Sequence, residues 1–184
     1  MPYKSLTKAD ILRALNRLGE LAHANGLTLE VALYGGAVFT VVYGSRESTK
    51  DVDAIVRPSE IAKKLASQVA REQDLPEDWL SDDVRLFLAA KEDKRRLASE
   101  EFGPGLTVSV PTAAYLLAMK VHACRPALPG YAGDQEDILF LVRKMGIKGL
   151  GDVEKVYHRF FPHDELPDHC RLAIEAILEK ARTQ

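Results

Sequence analysis

Asp51 and Asp53 are the residues whose type and spacing point most directly to chemistry. They flank Val52 in the run Asp-Val-Asp-Ala-Ile-Val, which reads as a β-strand closed by Pro58. On a strand, residues i and i+2 face the same way, about 7 Å apart along the chain. Val52 and the following Ala-Ile-Val supply the buried side, so an otherwise apolar strand presents two carboxylates together. Two such charges repel unless one is protonated or a cation bridges them. Mg²⁺ or Mn²⁺ is the natural bridge, with nucleotide phosphates completing the shell. With 13 Asp among 184 residues, about one D-x-D arises by chance, so the pair needs context.

That context lies just upstream. Leu29 to Tyr34 reads as a strand ending in the tight turn Gly35-Gly36. Ala37 to Tyr43 reads as a short buried helix ended by Gly44. Ser45, Arg46 and Thr49 follow, and then the D-x-D on a second strand. Ser45 and Thr49 can donate to a phosphate or cap the turn. Arg46 can brace a phosphate or, as the plainer alternative, hold the turn by pairing with a carboxylate such as Asp51.

As an ordered set, residues 33–56 resemble the nucleotidyltransferase superfamily, the DNA polymerase β-like fold. There a Gly-Gly or Gly-Ser after the first strand precedes a D-x-D on the next. More narrowly, the G-S-R-x-x-T-x-D-V-D string is similar to the R-x-T-x-D-I-D string of the AbiEii abortive-infection toxin group. The resemblance implies that Gly35 and Gly36 let the backbone approach a triphosphate, with helix-start N–H groups behind them. It implies metal at Asp51 and Asp53, and phosphate contacts from Ser45, Arg46 and Thr49.

A second cluster fits the same resemblance. Tyr115 to Arg125 is mostly an apolar helix that carries Lys120, and Asp134 and Asp137 sit i, i+3 at the start of the next helix. AbiEii-like proteins have a similar L-L-x-x-K helix followed by an R…D-x-x-D segment. The resemblance puts Lys120 near the nucleotide phosphates, with Asp134 and Asp137 positioning it or completing the site. The residues alone also allow Lys120 to pair with Asp134 or Asp137 and lock the helical part to the sheet. Both roles can hold at once.

One departure matters. Active members place a third carboxylate on a later strand, as general base toward the acceptor hydroxyl. The expected strands Val84–Ala89 and Leu106–Val110 hold no acid; Asp82 and Asp83 stand just before the first.

The elements that must position these residues follow from periodicity. Ser5 or Thr7 caps a first helix with Ile11, Leu12, Leu15, Leu18 and Leu21 on one stripe, stopped at Asn25-Gly26. Ser59 is expected to cap a helix bearing Ile61, Leu65 and Val69. Residues 73–82 read as loop or short helix, and 125–132 as loop. From Asp134 onward the pattern is helical, broken near Gly146, Gly149 and Pro162. The expected fold is α+β: a small mixed sheet of the nucleotidyltransferase type with flanking helices and a helical C-terminal region. Residues 1–110 form the sheet core with its N-terminal helix, and 111–184 the helical region packed on it, one compact domain overall.

Composition narrows the function classes. Lys plus Arg is 25 and Asp plus Glu 27, a net of −2, which excludes a globally basic nucleic-acid coat. Lys91, Lys94, Arg95 and Arg96 are the candidate RNA grip, but Glu92, Asp93, Glu100 and Glu101 cancel much of their field, so a solvated helix face is expected. Cys124 and Cys170 make no C-x-x-C pair and are expected as reduced buried thiols, a single bridge being the alternative. The five histidines show no ligand spacing, and Phe160 and Phe161 read as packing residues. The N-terminal residues lack a signal-peptide core, and the charge-free run from Glu30 to Arg46 is short and glycine-broken, so the expectation is a cytoplasmic protein with no membrane partner.

Together these imply a Mg²⁺-dependent transferase moving a nucleoside monophosphate from an NTP to an acceptor. The resemblance extends the acceptor to tRNA or a protein, and the chain to a toxin with a cognate antitoxin. The alternative is a catalytically inactive nucleotide- or partner-binding module of the same fold, and a plainer one is a structural domain with a chance D-x-D.

Overall fold

A computed structural model describes residues 5–98, 102–126 and 133–183. In chain order its elements are β1 (Leu6–Thr7), α1 (Lys8–Ala24), β2 (Leu29–Leu33), α2 (Gly35–Val38) running into a π-helical turn (Phe39–Tyr43), β3 (Ser48–Thr49), β4 (Val52–Arg57), α3 (Ser59–Gln73), β5 (Leu80–Ser81), a 3₁₀ turn (Asp83–Phe87), β6 (Lys94–Arg96), β7 (Leu106–Pro111), α4 (Ala113–Ala123), α5 (Gln135–Met145), α6 (Leu150–Phe160) and α7 (Asp168–Thr183). The architecture is α+β with a small mixed sheet. No helix among the described residues is long and apolar enough to cross a membrane.

Contacts divide the chain into two units. The first runs through Leu86 and includes Lys94–Val110; the second takes Phe87–Asp93 and the chain from Pro111.

In the first unit, Thr7 opens α1 through a capping box: its hydroxyl accepts from the Asp10 N–H, and the Asp10 carboxylate accepts from the Thr7 N–H at 3.0 Å. Asn25 and the left-handed Gly26 end the helix. The five-stranded sheet has the order β5-β4-β2-β7-β6. β2 is antiparallel to β4 and parallel to β7, and β4 is parallel to β5. Register puts Leu29, Val31 and Leu33 beside Val56, Ala54, Leu106 and Val108, all buried. α3 packs on the Ala54–Val56 face and against α1. Trp79, the one tryptophan of the chain, is fully buried, donates from its indole N–H to the Ala66 carbonyl at 3.0 Å, and accepts at its own carbonyl from the Val52 N–H at 2.7 Å. The sheet's other face carries Ala32, Asp53, Ile55, Thr107 and Ser109.

The second unit is built from α4–α7 with residues 87–93 strapped to them. The Tyr115 hydroxyl accepts from the Ala89 N–H at 3.0 Å, and Asp93 accepts from the Thr112 hydroxyl at 3.1 Å and from Arg159 at 3.3 Å. Burial pushes the Tyr115 phenol up to about 12, against the hydrogen bond from Ala89, which lowers it. Phe160 and Phe161 are buried; Phe160 packs on Tyr115 and Phe161 stacks on His122 with centroids 4.1 Å apart.

Several expectations are corrected. Val84–Ala89 is not a strand: Asp83–Phe87 forms a 3₁₀ turn, with the Asp83 N–H donating to the Ser81 hydroxyl and Arg85 reaching back to Asp82 at 3.2 Å. These local bonds favour a turn, and Leu86 is left 84% exposed. Lys94–Arg96 is an exposed edge strand, not a helix face: the Leu97 N–H donates to the Val108 carbonyl at 2.9 Å and Arg96 to the Thr107 hydroxyl at 3.2 Å. Cationic side chains on an edge discourage further strand pairing. Ser59 is the first helical residue of α3, and Pro58 occupies the cap without a side-chain bond. Cys124 and Cys170 are disulfide-bonded, with Cα atoms 5.9 Å apart. Glu100 and Glu101, and residues 127–132 of the expected loop, lie outside the described residues.

Trp79→Phe removes the bond to Ala66 and leaves a void beside β4. The expected cost is about 2–4 kcal/mol, measured as a lower urea midpoint by far-ultraviolet circular dichroism.

Candidate functional site

The β2–β4 ladder does not stop at the Leu33–Ala54 pair. The Tyr34 N–H donates to the Asp53 carbonyl at 2.8 Å, carrying the pairing one residue further and setting Gly35 against Asp53. Gly35 has φ of 54°, in the left-handed region, and a Cβ there would fall on the Asp53 Oδ2. Next to it, a Cβ on Gly36 would fall on the Thr49 hydroxyl, and the Arg46 Nη1 lies 3.6 Å from the same point. The structure therefore brings Gly35, Gly36, Arg46, Thr49 and Asp53 together.

Short elements hold this group. Thr49 is buried on β3, which pairs antiparallel with β1 through Leu6–Thr49 and Thr7–Ser48. Phe39, fully buried, supports Arg46: the guanidinium carbon sits 5.8 Å from its ring centroid, a cation–π distance. The Phe39 carbonyl also accepts from the Ser45 N–H at 3.0 Å, after the left-handed Gly44 reverses the chain. Ser45 itself is exposed and joins the group through that backbone bond. Phe39 and the β1–β3 pairing are features that sequence reasoning missed.

Asp53 and Asp51 are placed differently. Asp53 lies within β4, half-buried, on the face shared with Ile55. β4 begins at Val52, so Asp51 sits in the bend between β3 and β4, where strand alternation does not fix its direction. Among the described residues, no third His, Cys, Asp or Glu joins this pair in a three-ligand group. Thr107 and Ser109 occupy the Asp53 face of β7. Asp82 pairs with Arg85, and both line a groove with Ala54 and Val56, whose side chains point to the face opposite Asp53. Asp83 starts the 3₁₀ turn.

Lys120, Asp134 and Asp137 form a buried ionic cluster inside the second unit. Lys120 is 5% exposed and Asp134 0%. The Lys120 ammonium lies 2.8 Å from Asp134 Oδ1 and 2.8 Å from Asp137 Oδ2. Asp134 also accepts from the Arg125 Nε at 3.0 Å and from the Arg125 N–H at 3.0 Å. Burial alone would raise the Asp134 carboxyl, but the Lys120 and Arg125 charges and their hydrogen bonds outweigh it and hold the group below the usual carboxylate value. The apolar α4 thus carries a lysine whose partners begin α5, the pairing role open to it from the sequence. His122 is bonded to the Tyr157 hydroxyl at 3.1 Å, a packing role.

No protein-family model, curated protein or solved structure matches the chain.

Two expectations follow. Gly35→Ala destabilises by about 1–3 kcal/mol, and adding Asp53→Ala recovers the part due to the clash, leaving the left-handed backbone cost; paired urea titrations measure both. Lys120→Met removes the ammonium that two buried carboxylates share, leaving Asp134 to Arg125, and costs about 3–5 kcal/mol. The folded value of Asp134 is depressed, so its contribution is present above the ordinary carboxylate range and lost as pH falls through the folded value. The Asp134 contribution is lost on acidification below about pH 4, and unfolding followed from pH 7 to pH 2 measures it.

Proposed function

We propose that the first unit binds a Mg²⁺–nucleoside triphosphate and that the protein transfers the nucleoside monophosphate to an RNA or protein acceptor. The observation that carries this is a pair of adjacent contacts, Gly35 against Asp53 and Gly36 against Thr49 and Arg46. Two side-chain-free residues let a carboxylate close on the backbone at Gly35 and a hydroxyl at Gly36, with a guanidinium beside the second. That is the donor set an anionic, metal-bridged ligand requires. Asp53, with Asp51 two residues before it, supplies the hard oxygen ligands that suit Mg²⁺ or Mn²⁺. The bound cation would neutralise phosphate charge and align the α-phosphate.

The residues divide the work. Gly35 and Gly36 admit the triphosphate close to the backbone. Thr49 and the exposed Ser45 donate to its oxygens, and Arg46 offsets the charge that grows on the leaving pyrophosphate. In the transfer the acceptor hydroxyl oxygen bonds to the α-phosphorus, the bond to pyrophosphate breaks, and the hydroxyl proton passes to solvent. Lys120 has two carboxylates on its ammonium within the second unit, and a role for it at the phosphates rests on the resemblance. A tRNA acceptor, a role as a toxin and a cognate antitoxin rest on the resemblance to the AbiEii group.

The second reading is a binding module that retains the pocket without turnover. The occupation of the Asp53 face of β7 by Thr107 and Ser109, rather than by an acid, favours it.

Thermal unfolding with each NTP, with and without Mg²⁺, tests the site. Ligand at 100 times its Kd adds about 2.7 kcal/mol. Stabilisation is expected in wild type only with both components, and to be lost in Asp51→Asn/Asp53→Asn. An equal response in the variant sinks the reading. Transfer of label from an α-³²P NTP to RNA or protein then separates transferase from binding module.

A further inference from the structure

Among its described residues, the second unit contains one group of potential metal ligands that the nucleotide reading does not use. Cys124, His169 and Cys170 place a ligand atom each within 4.8 Å of one another. They come from two elements. Cys124 is the left-handed C-cap of α4, with φ of 42° and its N–H donating to the Lys120 carbonyl at 2.9 Å. Cys170 lies in the first turn of α7, with its N–H on the Pro167 carbonyl at 2.9 Å. His169 precedes it on the same turn.

We propose that the reduced chain binds one Zn²⁺ through Cys124, Cys170 and His169, so that metal and disulfide are alternative occupants of the same two sulfurs. The distances favour it. Zinc takes sulfur at about 2.3 Å and imidazole nitrogen at about 2.0–2.1 Å, so the sulfur–nitrogen edge of a tetrahedral site is about 3.5 Å. The Cys170 Sγ and the His169 Nε2 are 3.4 Å apart. The sulfurs are bonded in this structure and must part to about 3.8 Å to share the ion. With Cα atoms 5.9 Å apart, side-chain rotation on two helix ends supplies that movement.

Local chemistry suits the thiolates. Cys170 sits in the first turn of α7, where the positive end of the helix dipole favours the deprotonated sulfur. Cys170 is buried, Cys124 half-buried and His169 exposed, so the ion enters from the histidine side and keeps a solvent water as fourth ligand.

The exchange balances simply. A dithiol reductant delivers two electrons and two protons to the Cys124–Cys170 bond and itself closes to a disulfide. Zn²⁺ then displaces the two thiol protons to solvent. α4 and α7 stay fastened in either state, by the covalent bond where conditions oxidise and by the ion where thiols are kept reduced.

The test uses the full, tag-free chain, reduced with dithiothreitol, freed of reductant without oxygen, and titrated with Zn²⁺ or with Co²⁺ as a spectroscopic probe. One ion per chain by native mass spectrometry is expected, with thiolate-to-cobalt absorption in the near ultraviolet. His169→Ala, an exposed site whose folding circular dichroism verifies, loses affinity by about 100-fold or more. The oxidised chain and Cys124→Ser/Cys170→Ser take up no ion at these sulfurs. Reduced wild type binding no tighter than the double variant overturns the proposal. So does His169→Ala binding like wild type.

Discussion

The hydrogen bond from the Tyr34 N–H to the Asp53 carbonyl is the constraint on which the candidate site depends. It extends the β2–β4 ladder past the last strand pair, so the chain can only leave β2 by passing over the carboxylate. A side chain at that point would collide with Asp53, and the backbone must turn left-handed to enter α2. Glycine meets both demands at once. Thr49, on a two-residue strand paired with β1, and Arg46, braced on Phe39, gather at the same turn.

The second unit works by a different balance. Burying Lys120 with two carboxylates carries a large desolvation cost, which the short ion pairs and the Arg125 bonds to Asp134 offset. A hydrophobic substitute for the whole cluster would pack as well. What the charges add is direction: Asp134 must meet both Lys120 near the end of α4 and the backbone of Arg125 just beyond it. The start of α5 therefore has one way to dock. The nearby Cys124–Cys170 bond ties the same helix end to α7.

Much of this was legible in sequence because the signals are local. The Thr7 cap, the Asn25-Gly26 stop, the strands at Leu29 and Val52, and the breaks at Gly146 and Pro162 each announce themselves within a few residues. β1, β3, β5 and β6 do not. Two or three residues carry no period, and such strands exist because a neighbour offers an edge. The run Val-Arg-Leu-Phe-Leu-Ala misled because apolar content outweighed the turn chemistry of Ser81 and Asp82 ahead of it. The disulfide could be read only as the alternative to reduced thiols, because its cysteines are 46 residues apart and meet only through helix packing. At the site, the ordered set of glycines, Arg46, Thr49 and aspartates could be read from the chain, as could the acids waiting for Lys120. The contact of Gly35 with Asp53 could not, since it requires the register.

The π-helical turn at Phe39–Tyr43 carries a lesson about chain length. Such a turn is an α-helix holding one residue more than its pitch accommodates. Removing a single residue there would restore the ordinary pitch and swing the following chain by about 100° around the helix axis. Gly44 would then reverse the chain in another direction, and Arg46 would leave the Phe39 ring. This stretch is thus the place where a one-residue gap, harmless in most loops, would dismantle a constellation without altering any of its members.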